Sequence, residues 1–347
     1  MGERLTEHKE WDFGIKNDDG EIEVRRMTSD TYEPEADDSS FLSQAAPTII
    51  RPSRAKPRKR KDLLMADIGD LQYGFRRTES GLEPLHDEKA IDVTFQAIKD
   101  AQPDLIVLGG DELDLPELSR WSPDSKDFID TFQISLDGLH KTLARLRAEN
   151  PNAKIVNLDS NHIKRIGNFL LKNAMPFFGI RPANMPNDWP VNSYPYLLRL
   201  DELEIEFDGG YPATKYQIND RLTTAHGDKS SAKGSTAAMY LPQLERSFLF
   251  HHTHRQESLT KTTELGRYVT ALSFGALTRI DGAVPSFGNG IDARGNVVHR
   301  NENWQNGFGF IEYAEGDSPF SATPVLINSQ DGYEARVNGK VYTPNEQ

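Results

Sequence analysis

Three short apolar runs constrain this chain more than any other feature: Leu63-Leu64-Met65-Ala66, Asp104-Leu105-Ile106-Val107-Leu108 and Lys154-Ile155-Val156-Asn157-Leu158. Each is separated from the next by a stretch with helical spacing. Residues 86–101 put Ile91, Phe95 and Ile98 on one face, and residues 127–149 put Phe128, Phe132, Leu136, Leu139, Leu143 and Leu146 in one stripe. Apolar strands alternating with amphipathic helices predict a sheet with helices on its faces. A short helix to about Asn173 follows the third run. From Pro176 to Tyr196 proline, asparagine and aromatics dominate, and residues 197–204 read as a short helix or turn. Strand-like pieces then fall at 205–207, 221–225, 247–250, 268–273, 308–313, 324–328 and 333–337. They predict a second, β-rich layer that completes a sandwich.

The organisation predicted for the 347 residues has three parts. Residues 1–46 form a polar appendage, partly disordered or a small hairpin, with Glu21–Arg25 as a strand after the Asp18-Asp19-Gly20 turn. Residues 47–61 form a linker. It carries three prolines, and between Arg51 and Lys61 it has seven basic residues and no acid. Residues 62–347 form the main domain. The net charge of −13 argues against a chain that coats nucleic acid with its whole surface, while the basic block is either a phosphate contact or a solvated linker. There is no cysteine, which excludes disulfides and thiolate ligands. No apolar run approaches the ~20 residues of a membrane span. The start, Met1-Gly2-Glu3-Arg4-Leu5, lacks the apolar core of a signal peptide. The expectation is a cytoplasmic protein with no membrane partner.

Strand ends in layered α/β folds are where sites are built. Here they carry metal donors in succession: Asp70-Leu71-Gln72, then Gly110-Asp111-Glu112-Leu113-Asp114, Asn161-His162, His226, and His252-Thr253-His254 after the run Ser247–Phe250. Neutral imidazole is the commonest metal ligand. Taken singly, Asp111 would serve as a helix cap, Asn161 as a turn residue and His226 as a packed histidine. Five strand ends in a row, each with Asp, Asn, Gln or His, point to a metal centre. His8, His86, His140 and His299 lie outside the set and read as ordinary.

The ordered set resembles the calcineurin-like metallophosphoesterase superfamily, whose motifs run Asp-x-His, Gly-Asp-x-x-Asp, Gly-Asn-His, His and Gly-His-x-His. The likeness covers about residues 62–256. The segment Leu272–Gly282 looks like that of phage-encoded members, which would place the chain in a host cytoplasm. The resemblance implies an α/β (α+β) fold, a four-layer αββα sandwich of two mixed β-sheets. It also implies two divalent metal ions, Mn²⁺ ahead of Fe, Zn²⁺ or Mg²⁺. Asp70, Gln72 and His254 would hold one, Asn161, His226 and His252 the other, with Asp111 bridging. The implied reaction is attack in line by a metal-bridging hydroxide, with His162 assisting the leaving group and Asp114 orienting His162. Arg165 and His251 are further candidates for substrate contact.

Three residues depart from the family pattern. Gln72 replaces the usual first histidine, a neutral oxygen donor that favours Mn²⁺ over Zn²⁺. Ser160 and His251 stand where glycine is usual. The first motif also has a second register, Asp67-Ile68-Gly69, which leaves glycine at the second ligand position. Asp70-Leu71-Gln72 supplies two ligands and is preferred. The implied substrate is a phosphoester, and the first expectation is a nuclease acting on DNA or RNA, resembling repair exonucleases of this superfamily. A phosphomonoesterase acting on proteins or nucleotides is the alternative, and a binding protein with a decayed centre the third reading.

Overall fold

Strand β1 (Leu63–Ile68) sends Met65 to one face of its sheet and Ala66 and Ile68 to the other, as pleating requires. In the computed structural model, which describes residues 3–16, 22–34, 62–119, 126–231, 235–281, 290–291, 297–298 and 303–345, β1 is central to a six-stranded sheet. Its parallel neighbours follow in order: β2 (Leu105–Leu108), β3 (Lys154–Leu158) and β4 (Ile205–Asp208). A second, five-stranded sheet contains β5 (Tyr216–Asn219), β6 (Leu222–Ala225), β7 (Ser247–Phe250), β8 (Gln256–Thr262) and β9 (Tyr268–Phe274), in the order β8-β9-β7-β6-β5. Strands β10 (Gly307–Tyr313) and β11 (Phe320–Leu326) return to the first sheet, antiparallel on the other side of β1. Both sheets are mixed: β6, β7 and β9 are parallel, β5 and β8 antiparallel to their neighbours.

Side-chain alternation separates the layers. Ala66, Ile68, Ile106, Leu108 and Ile155 face α1 (Glu88–Ala101) and α2 (Thr131–Glu149). Met65, Val107, Val156 and Ile311 meet Leu222, Leu249 and Leu272 between the two sheets. Phe248, Phe250 and Ala271 cover the outer face of the second sheet with Ala237, Tyr240 and Leu241. The result is an αββα sandwich whose fourth layer is thin, a helical turn at Thr236–Tyr240 followed by a 3-10 turn at Leu241–Gln243.

Three differences from the sequence reading have physical causes. The tail strand 307–313 does not join the second layer. It extends the first sheet and is buried on both faces, Phe308 and Phe310 toward the helices and Ile311 and Tyr313 toward the second sheet, which period-two patterning does not reveal. The helix expected from 127 begins later, because Asp130 adopts φ 59° after a 3-10 turn at Lys126–Phe128. Polar strand β8 was not signalled at all, since most of its side chains face solvent. α3 (Ile163–Asn173) leaves directly behind Asn161-His162.

Strands Glu3–Lys16 and Ile22–Pro34 pair antiparallel as a long hairpin. Contacts divide the chain into two compact units, Met1–Ile49 and Ile50–Gln347. The basic block of residues 51–61 and His299 lie outside the described residues. No helix among the described residues is long and apolar enough to cross a membrane.

Candidate metal centre

The donors converge because the turns that carry them are braced against one another. Asp70 N–H donates to Gly110 O (3.0 Å) and Gln72 N–H to Asp111 O (2.8 Å). His251 N–H donates to His226 O (2.9 Å), His252 N–H to Asp70 Oδ2 (3.0 Å) and His162 N–H to Asp111 Oδ1 (3.0 Å). Five donor positions, Asp70, Gln72, Asp111, His252 and His254, have φ between 46° and 75°. Non-glycine residues seldom adopt that region, and its clustering here marks backbone held by its surroundings.

One group surrounds Asp111. Donor atoms of Asp111, His226 and His252 lie within 4.8 Å of one another and could hold a metal ion. His226 Nε2 is 3.2 Å from Asp111 Oδ2 and 2.8 Å from Asn161 Oδ1, while His226 Nδ1 meets Gly109 O at 2.9 Å. The other group joins Asp70 Oδ1 to His254 Nε2 (3.4 Å), with Gln72 Nε2 3.2 Å from the same nitrogen. Asp67 belongs to neither group. It pairs within the sheet opposite Val107 and Gly309, and its carboxylate stands 3.6 Å from His251 Nε2.

The residues fit divalent cations. Asp70 Oδ1 is fully buried with no hydrogen bond, only His254 Nε2 standing 3.4 Å away, and a cation held between the two would answer both. The donors are carboxylate, amide and imidazole, a set suited to Mn²⁺, Fe or Zn²⁺. Burial works against ionisation of Asp111, but the His162 and His226 imidazoles hold its carboxyl well below the usual range. Burial likewise opposes the charged form of His226, and the Asp111 carboxylate overrides it, raising His226 to about 9. Burial depresses His252 to about 4. Gln72 is oriented otherwise than a ligand requires. Its carbonyl oxygen accepts from the Thr278 hydroxyl (3.2 Å) and its amide nitrogen faces His254. Turning the amide over would exchange the two atoms.

His162 lies beside the Asp111 group, Nε2 3.6 Å from Asp111 Oδ2 and Nδ1 3.4 Å from Asp114 Oδ1. Burial lowers His162 to about 3 and raises Asp114 to about 7. Arg165, expected at substrate, points inward: it donates to Asp114 O (2.5 Å), Leu115 O (3.2 Å) and His162 Nε2 (2.6 Å). His251 differs from the expectation of substrate contact. It is 1% exposed, wedged between the backbones of Gly69 and Gly109 with Asp67 at its Nε2, so no substrate contact is open to it. Ser160 replaces glycine without strain, its hydroxyl accepting from Asp111 N–H at 2.9 Å.

Several neighbours had no sequence signal. Trp304 sets its ring against His254 at 4.2 Å between centroids, Tyr211 meets His226 edge-on, and Thr278 holds Gln72. Glu112, inside a quoted motif but given no role, accepts from Gly110 N–H and is pushed by burial to about 7. His86 and His140 are tied to Gly74 and Leu198 as packed histidines.

No protein-family model matches the sequence, and no curated protein matches it. Among solved structures the chain is similar to YfcE, a phosphoesterase from E. coli, at 9% identity and a TM-score of 0.31, over 75% of this chain and 98% of that one.

Proposed function

We propose that this chain is a divalent-metal-dependent phosphoesterase that hydrolyses phosphodiester bonds, with DNA or RNA as its substrate. The observation that carries the reading is the Asp111–His226–His252 group, with donors within 4.8 Å, flanked by Asn161 and by the Asp70–His254 pair. Two cations would be held by Asp70, Gln72 and His254 and by Asn161, His226 and His252, with Asp111 between them. Bound there, divalent cations would polarise the phosphoryl group and supply a nucleophile at neutral pH. With its amide turned over so that the carbonyl faces the site, Gln72 would favour Mn²⁺ at the first position.

The chain's own residues would manage the proton. A proton on His162 Nε2 would pass to the leaving oxygen, with Asp114, 3.4 Å from Nδ1, orienting the ring; burial opposes the charged imidazolium, and the Asp111 carboxylate 3.6 Å from Nε2 is the group that favours it. Arg165 now occupies Nε2. Its release would expose that nitrogen and free the guanidinium for a phosphate oxygen.

The test is turnover of bis-p-nitrophenyl phosphate against p-nitrophenyl phosphate, each with Mn²⁺ and with chelator. Metal-dependent preference for the diester is expected. Preference for the monoester would instead favour a phosphomonoesterase, and turnover that survives chelation would remove the metal centre from the reaction.

A further inference from the structure

α3 leads out of the centre into a stretch unlike the rest of the main domain. Residues 162–195 carry Lys164, Arg165, Lys172 and Arg181 against a single carboxylate, Asp188, in a chain of net charge −13. Arg165 is turned inward, and the other three cations are exposed. Alongside them stand aromatic rings that a folded core would normally bury: Phe169, Phe177, Phe178 and Trp189 are between 40% and 56% exposed. Met175 is 68% exposed. An apolar surface of this extent on a charged protein marks a contact with something else.

The local geometry narrows what that is. Between α3 and the segment 178–195 lies a cleft of about 490 Å³, with Lys164 and Arg181 on its walls beside Phe178, Tyr194 and Phe207. Asp159 also lines it, but its carboxylate is committed to the N–H groups of Ser160, Gly210 and Tyr211. The cleft therefore offers rings and positive charge together. Asp159 is two residues before Asn161, so the cleft adjoins the metal centre. Single-stranded nucleic acid has the matching chemistry, since its bases stack on aromatic rings and its phosphates follow lysine and arginine. A lipid surface or a second copy of the chain would use the apolar side chains but has no need of the adjoining centre.

We propose that the surface formed by α3 and residues 174–195 binds single-stranded nucleic acid, stacking bases on Phe177 and Phe178 and leading the backbone past Lys164 and Arg181 to the metal centre. This rests on the phosphodiesterase reading above and names the part of the substrate recognised outside the centre.

The experiment measures fluorescence anisotropy of labelled single-stranded DNA and RNA about 12 nucleotides long, with the full chain under EDTA to prevent cleavage. Phe177→Ser/Phe178→Ser is expected to weaken binding at least ~10-fold, because each stacked base contributes ~1–3 kcal/mol. Lys164→Ala/Lys172→Ala/Arg181→Ala is expected to lower the slope of log affinity against log salt by about 2 units, at ~0.7 per phosphate contact. Thermal unfolding of both variants checks that they fold. Unchanged oligonucleotide affinity in both folded variants overturns the proposal. So does a variant that loses only self-association in light scattering, or only partition onto anionic vesicles. Wild-type turnover of the small diester reports on the centre separately: its absence would remove the phosphodiesterase reading, while patch-dependent oligonucleotide binding would still support the surface.

Discussion

Replacing Gly109 by alanine tests whether His251 holds the ligand turns in place. A Cβ on Gly109 would fall 2.3 Å from His251 Cε1 and 2.4 Å from both ring nitrogens, where ordinary contact begins at 3.4 Å. The ring must therefore retreat by roughly 1 Å, and it has no room on the other side. A Cβ at Gly69 would lie 2.5 Å from Nδ1, so that backbone already abuts the ring, and Asp67 stands at Nε2. Overpacking of this kind costs ~1–3 kcal/mol. The displacement passes along the chain to the adjacent residue, His252, and a misplacement of about 1 Å near a reacting centre costs ~100-fold. Gly109→Ala is expected to lower the urea midpoint of the metal-free protein and to weaken Mn²⁺ binding, read by titration calorimetry. His251→Ala removes the obstacle, so in the double variant the new methyl enters vacated space. The stability costs should then be non-additive by about 1 kcal/mol or more. Strictly additive costs, or a Gly109→Ala protein with the wild-type midpoint and affinity, would refute the wedge.

Four further outcomes are expected. Arg147→Met should cost about 3 kcal/mol or more in urea unfolding, because the buried guanidinium donates to the carbonyls of Leu203, Ala153 and Glu204 at 2.7–2.8 Å and of Asn150 at 3.3 Å. Metal uptake at pH 7 should release about one proton from His226, raised to about 9 in the metal-free protein, as calorimetry in buffers of different ionisation enthalpy would show. By the same shift, the stability that protonated His226 contributes is complete below its unfolded value of about 6.5 and lost as pH rises through about 9. Glu112 and Asp114, both raised to about 7, act in the same direction, so the urea midpoint of the metal-free protein should fall from pH 6.5 to 9, and a flat profile would contradict this. His162→Ala should slow turnover ~10²–10⁴-fold, most for poor leaving groups, while Mn²⁺ affinity persists; equal loss for all leaving groups would argue against proton transfer.

Much of this architecture is written locally. The apolar runs at 63–66, 104–108 and 154–158 and the helical stripes between them state which faces must be covered, because burial of those faces is the dominant driving force. Donors placed where such runs stop are visible for the same reason: a strand end is a local event, and Asp111, Asn161, His226, His252 and His254 each follow one. Between Asp67 and Asp70, which follow the same run, the sequence favours Asp70 only because Gln72 gives it a second donor where Asp67 has Gly69. The physical reason lies in backbone beyond the strand, where Asp70 takes φ 51° and turns toward His254 while Asp67 stays in the ladder against His251. Nor does the chain announce that His251 needs Gly69 and Gly109 opposite it, that Thr278 holds the Gln72 amide, or that Trp304 covers His254. These partners are separated by up to about two hundred residues, and only the packing of one sheet on the other brings them within contact distance. Periodicity records which side of an element is buried. Which atoms meet there depends on how two buried sides interlock, and that is a property of the assembled layers.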